Sequence, residues 1–170
     1  FEERNGMDTL KRAGLTFAPE AGSERLRHAL NKKITNAEII EKTGLALNSG
    51  WKKVKLYFMV GLPGETYEDL DAIIDLAGKI RNVHPVRSRR LSNGVNLSVS
   101  PFIPKPHSDF EREGMEDLVL LEEKHKYLSL KFKVKNLRNN IRADFHNAEM
   151  SRIEAILARG DKSIGKVILK

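Results

Sequence analysis

The sequence predicts an α/β fold built on a parallel sheet, and three observations predict it. Apolar runs of strand character recur at residues 14–18, 54–60 and 95–100. Each is followed by a loop rich in Pro, Gly or Ser, and then by residues with the 3.6-residue period of a helix. The runs lie about one β–α repeat apart, and strands that alternate with helices build parallel sheets through right-handed crossovers. Three such units do not close a barrel, which takes about 250 residues. The expectation is a small open sheet or part of a (β/α) TIM-like barrel. A first residue of Phe1 rather than Met tips it towards the partial barrel.

In the first unit, Gly14-Leu15-Thr16-Phe17-Ala18 is broken by Pro19-Glu20-Ala21-Gly22-Ser23. Leu26, Ala29 and Leu30 then share one helical face. Thr35 and Glu38 have the spacing of a capping box, in which each side chain satisfies an orphan N–H of the helix start. Ile39, Ile40, Thr43, Ala46 and Leu47 form the stripe of this second helix, and Gly50 stands where it would end.

In the second unit, residues 54–60 become continuously apolar towards their end, as a strand covered on both faces should be. Gly61-Leu62-Pro63-Gly64-Glu65-Thr66 is a turn. Thr66 can cap the next helix, with Asp69 three residues on. Leu70, Ile73, Ile74, Ala77 and Ile80 carry the helical period, and His84-Pro85 stops it.

In the third unit, apolar and polar residues alternate over 95–100. Pro101-Phe102-Ile103-Pro104-Lys105-Pro106 follows, then a helix from about Met115 to Ser129 using Leu118, Leu121 and Leu128. Residues 131–137 alternate again, with Phe132 and Val134 on one face, and read as a further strand. Residues 147–157 read as a helix with Met150, Ile153, Ile156 and Leu157 on one side. Asp161 is placed to cap a last short helix.

Composition narrows the function classes. The chain has 170 residues, 40% hydrophobic and 31% charged, which suits a folded domain rather than a disordered one. No apolar run approaches the roughly 20 residues that cross a bilayer. Cysteine is absent, so these residues hold no disulfide and no thiolate metal site. Cytoplasmic origin is the default expectation. The net charge of +7 admits nucleic acid or another polyanion as partner. The bases are spread, however, and a solvated surface is the simpler reading. The densest patch, Arg87, Arg89 and Arg90, has no interleaved aromatic residue on which bases would stack.

Ligands of parallel α/β folds sit at the carboxyl ends of strands, and three loops fall there. In the first, Glu20 leaves the strand end with a carboxylate that could accept from ribose hydroxyls or an amino group, and Ser23 stands at a helix start. The plainer alternative makes Ser23 an N-cap and Glu20 a complement to the helix dipole. In the second, the strand ends in Met59, Val60 and Gly61, and a Gly-x-Pro-Gly turn brings bare backbone close to whatever lies above it. Its N–H and C=O groups could read the edge of a flat heterocycle; the alternative is an ordinary βα turn. The Gly-Lys-Ser/Thr ending of a phosphate-binding loop is missing. In the third, Phe102 and Ile103 offer an apolar wall for a ligand, or packing beneath a rigid proline-rich loop. The five histidines have no metal-ligand spacing.

The three loops, in this order, resemble the second half of radical S-adenosylmethionine (radical SAM) domains. Residues 19–26 through Asn31-Lys32-Lys33-Ile34-Thr35 look like the segment after the fourth barrel strand. There Glu20 takes the position of a family Gln, and Lys32 that of a family Arg, both of which contact the ribose or methionine part of the cofactor. Residues 54–66 look like the fifth-strand motif, whose backbone around Met59, Val60 and Gly61 would receive the adenine. Residues 95–104 look like the sixth strand and its hydrophobic loop. Phe17-Ala18-Pro19-Glu20-Ala21-Gly22 and residues 151–161 are similar to the cobalamin (B12)-associated branch.

The resemblance implies residues 1–137 as the carboxyl-terminal part of a radical SAM barrel and 138–170 as a helical extension. It implies an iron–sulfur oxidoreductase whose intact form uses S-adenosylmethionine, a [4Fe–4S] cluster and, in this branch, cobalamin. Cofactor-binding residues would be Glu20, Ser23, Lys32, Met59, Val60, Gly61 and Phe102. Catalytic residues and the family's Cys-x3-Cys-x2-Cys cluster loop are not among these residues, so this piece by itself is expected to be inactive. Its expected partners are the missing half of its barrel or a second copy. A basic nucleotide- or nucleic-acid-binding domain without a cluster is the alternative.

Overall fold

A computed structural model describes residues 14–49, 51, 53–83, 94–135, 137 and 141–169. The elements are β1 (Leu15–Glu20), α1 (Glu24–Ala29), α2 (Asn36–Asn48), β2 (Lys53–Val60), α3 (Tyr67–Val83), β3 (Gly94–Pro101), α4 (Leu118–Val134), β4 (Ile141–Phe145) and α5 (Ala148–Arg159). A 3-10 turn (Lys162–Ile164) and the short α6 (Gly165–Ile168) follow. His84, Pro85 and the Arg87, Arg89 and Arg90 patch lie outside the described residues, as does Gly50.

Four parallel strands pair in the order β1-β2-β3-β4, so spatial order equals chain order. Right-handed crossovers between successive neighbours would put the connecting helices on the same side. The packing agrees, with α2 on α3, α3 on α4 and α4 on α5. A parallel sheet whose spatial order equals chain order is consistent with a partial (β/α) barrel.

The register divides the sheet into two unlike faces. Val54, Leu56 and Phe58 pair with Val95, Leu97 and Val99. With Ile141 of β4, these meet Ile39 of α2, Leu70, Ile73, Ile74 and Ile80 of α3, and Leu121, Leu128 and Phe132 of α4 in one apolar core. The other face is polar. Lys55, Asn96 and Arg142 form one row across three strands, and Tyr57, Ser98 and Asp144 form the next. An all-parallel sheet is ordinarily covered on both faces. Polar residues facing away from the helices are what the inner wall of a barrel would present.

Local signals explain most boundaries. Ser23 caps α1, accepting from the Leu26 N–H at 3.1 Å. Thr35 and Glu38 make the expected capping box on α2. The start of α3 is held from the opposite direction to the expected one: the Asp69 carboxylate accepts from the Thr66 N–H at 2.8 Å and hydroxyl at 3.0 Å.

One expectation needs correction. Residues 131–134, read as part of a strand, are the last turn of α4, and the fourth strand begins only at Ile141. Phe132 continues the stripe of Leu121 and Leu128 at helical spacing and is buried with them, whereas Val134 is 80% exposed. Packing on α3 therefore outweighed a short alternation. In α5, Met150, Ile153, Ile156 and Leu157 are exposed, and the smaller Ala148, Ser151 and Ala155 face the domain.

Candidate functional site

All seven cofactor candidates lie at the carboxyl edge of the sheet, where three βα loops meet. The first loop begins with a register shift between Phe17 and Glu20. Glu20 itself has a left-handed backbone, φ +69, which is uncommon for any residue but Gly and marks a tightly determined turn. Its carboxylate receives the Lys32 ammonium at 2.7 Å, and Lys32 also donates to the Ala18 carbonyl at 3.0 Å. The fold thus brings together two residues twelve positions apart that sequence reasoning had matched separately.

Arg27 is the internal frame of that loop. Its guanidinium is wholly buried and donates to the carbonyls of Ala21 (2.8 Å), Gly22 (2.9 Å) and Ile34 (2.9 Å), and to the side chain of Asn36 (2.6 Å). Gly22 lies so close to α3 that a Cβ there would stand 2.4 Å from the Ile73 nitrogen and 2.5 Å from the Asp69 carbonyl oxygen. Backbone atoms cannot yield as side-chain tips do, so only Gly fits.

Ser23 does more than cap α1: its hydroxyl donates to Asp69, which also pairs with Arg25. Burial pushes the Asp69 carboxyl up, but the hydrogen bonds from Ser23, Thr66 and Arg25 outweigh it and hold the pKa below its ordinary value. Arg25 further reaches the Gly64 carbonyl at 3.0 Å, tying the first loop to the second.

In the second loop, Gly61 and Gly64 have φ of +79 and +71, the left-handed conformations this turn needs. The Gly61 N–H donates to Glu65 at 2.7 Å, and the Val60 carbonyl accepts from the Phe102 N–H at 2.8 Å. Met59 and Phe102 share a small second apolar cluster with Ala21, Leu26 and Leu62. The Phe102 ring meets Phe110 edge-on, centroids 5.7 Å apart.

A buried ion cluster underlies this loop. Lys124 of α4 bonds to Glu65 at 2.8 Å and Glu116 at 2.7 Å, and the side chains of Lys124 and Glu65 are only 9% and 2% exposed. Burial pushes the Glu65 carboxyl up, and the bonds from Lys124 and Gly61 offset this only in part. Burial also pulls Lys124 down, but its bonds to Glu116 and Glu65 win and hold its pKa above the ordinary value.

Sequence reasoning missed Arg27, Lys124 and Glu116 as parts of this edge. Arg27 sits beside Leu26 in a charged helix, and Lys124 sits within Glu122-Glu123-Lys124-His125-Lys126; both strings read as solvated. Glu65 and Asp69 were visible only as turn and capping residues. Among the described residues, no group of three or more His, Asp or Glu could hold a metal ion, and no helix is long and apolar enough to cross a membrane.

The chain is similar to the uncharacterized protein MJ0966 of Methanocaldococcus jannaschii, with 41% identity over 162 residues. That alignment covers 95% of this chain and 33% of the relative, so the chain spans about a third of the length of the curated relative it matches. Residues 4–77, which contain the first two of the three loops, match the family model described as Radical SAM superfamily.

Proposed function

We propose that this chain forms the adenosyl-binding side of a radical SAM enzyme, an iron–sulfur oxidoreductase. The observation that carries this reading is the convergence, on one sheet edge, of two loops from the matched segment, the first of them holding the Glu20–Lys32 pair. A half-buried carboxylate beside an ammonium suits ribose hydroxyls and the methionine carboxylate. Met59 and Phe102, with the backbone of Val60 and Gly61, suit a flat adenine ring. Ser23 serves the site through Asp69, by holding the first loop against the second.

These residues fit S-adenosylmethionine and do not fit a [4Fe–4S] cluster: the 170 residues contain no cysteine. Held together in a longer form of the protein, the two would supply reductive radical chemistry toward a substrate, with the protein positioning the cofactor. What this chain contributes is binding and orientation. Its polar sheet face, carrying Lys55, Tyr57 and Asn96, is the wall such a substrate would meet. The remaining strands of the barrel would pair along β1, which among the described residues is bonded only to β2. Phe17 to Gly22 and residues 151–161 support the cobalamin-associated branch.

The test is calorimetric binding of S-adenosylhomocysteine to the chain and to the longest soluble form of the protein. Binding that weakens about tenfold in Glu20→Ala, equivalent to about 1.4 kcal/mol, is expected. No binding by either form at millimolar ligand would overturn the reading.

A further inference from the structure

The cluster of Lys124, Glu65 and Glu116 does something the family match does not assign, since Lys124 and Glu116 lie outside residues 4–77. Gly61 is held from two sides. Its N–H points to the Glu65 carboxylate at 2.7 Å. The space a side chain would take is filled by Leu121 Cδ2 at 2.8 Å and Glu116 Cβ at 3.1 Å. Lys124 is the cation that makes this possible, because its one ammonium donates to both carboxylates and offsets their mutual repulsion.

Without Lys124, two carboxylates would share a buried site, and such sites force one group to protonate or move. Glu116 Oε2 is already buried and without a hydrogen-bond partner among the described residues, so the site has no spare donor. Glu65 lies within the second loop's turn, and Glu116 lies at the end of the third loop, just before the Asp117 cap of α4. One ammonium on α4 therefore clamps two of the three loops to each other.

We propose that Lys124 is a positioning residue: through Glu65 it fixes the direction of the Gly61 peptide, and through Glu116 it fixes where the third loop closes over it. This rests on the adenosyl-site reading for its functional consequence but not for the clamp itself. Lys124 touches no ligand in this scheme. It acts by keeping the Gly61 backbone in the one orientation that the adenine edge would meet, so its loss shows in ligand affinity as well as in stability.

The experiment uses the chain labelled with 15N-glycine. In the parent chain the Gly61 amide, bonded to Glu65, should exchange slowly with solvent. Lys124→Met should accelerate that exchange at least tenfold and weaken S-adenosylhomocysteine binding about tenfold. Glu116→Gln, which keeps the lysine and Glu65, should give a smaller effect of the same sign and serves if Lys124→Met fails to fold. Lys135→Met, which removes an exposed ion pair with Asp75 next to the end of α4, should change neither readout. Unchanged Gly61 exchange in folded Lys124→Met or Glu116→Gln chains overturns the clamp. Faster exchange with unchanged affinity overturns the positioning role. Absence of ligand binding by the parent chain and the longer protein overturns the adenosyl reading and the positioning role with it, while the Gly61 exchange still decides the clamp.

Discussion

At the carboxyl edge of the sheet the chain buries charged side chains, and along α5 it exposes apolar ones. Arg27 is fully buried, Asp69 is 3% exposed and Lys124 is 7% exposed. Met150, Ile153, Ile156 and Leu157 of α5 are each about half exposed or more. The edge is dense in hydrogen bonds that join loops distant in sequence, whereas α5 meets the domain through Ala148, Ser151 and Ala155. The difference teaches that burial here follows the demands of loop geometry more than side-chain hydrophobicity. Tight βα turns leave carbonyls pointing inward, and long cationic side chains are the groups that can reach and satisfy them.

The sharpest way to break this contrast is Arg27→Met. Methionine keeps much of the volume but strands the carbonyls of Ala21, Gly22 and Ile34. Each buried unsatisfied group costs about 1–3 kcal/mol, so a loss of about 3–5 kcal/mol by urea denaturation is expected, and a loss under about 1 kcal/mol would show that the loop is not framed this way. Gly22→Ala comes next. Its Cβ would meet backbone of α3 at 2.4 Å, and overpacking of this kind costs about 1–3 kcal/mol.

Asp69→Asn is expected to cost about 1–2 kcal/mol at neutral pH, since one partner of a hydrogen-bonded charge is neutralised. Its pH dependence sharpens the point. The folded carboxyl is held below the ordinary value of 3.8, so its contribution is present above that pH and is lost as pH falls through the folded value. The stability gap between the parent chain and Asp69→Asn should close in acid. Glu65 has the opposite sign. Its folded pKa is raised above 4.5, so its contribution is full below that pH and fades as pH rises through the folded value. Glu65→Gln should flatten that part of the stability profile. At the far end of the scale, Ile153→Gln or Leu157→Gln on α5 should change stability by less than about 0.5 kcal/mol. A cost above 2 kcal/mol would mean that this face is covered in solution.

Much of the fold was legible because local periodicity and caps agreed with it. Ile39, Leu47, Leu70, Ile73, Ile74 and Ile80 were read as core stripes and are buried; Thr35 was read as a cap and Ser23 as a cofactor residue with a cap as the plainer alternative, and both cap helices. The carboxyl half of α4 was misread because Phe132 and Val134 alternate over too few residues to separate strand from helix. On α5, periodicity identified the apolar side but not which side packs, because nothing local distinguishes a face awaiting a partner from one already covered. At the candidate site, the three loops were legible from turn chemistry, while the cations beneath them looked like any solvated helix surface.

Local sequence set the first three strand–loop–helix units, the positions of the three loops and the need for Gly at the second turn. These depend on φ/ψ preference, capping and hydrophobic period, all of which act within a few residues. Only the tertiary structure decided that Glu20 meets Lys32, that Asp69 collects Ser23, Arg25 and Thr66, and that Lys124 lies between Glu65 and Glu116. Whether a charge is solvated or buried depends on which distant segment is placed against it, and pairing across 59 positions, as between Lys124 and Glu65, leaves no local trace in the chain.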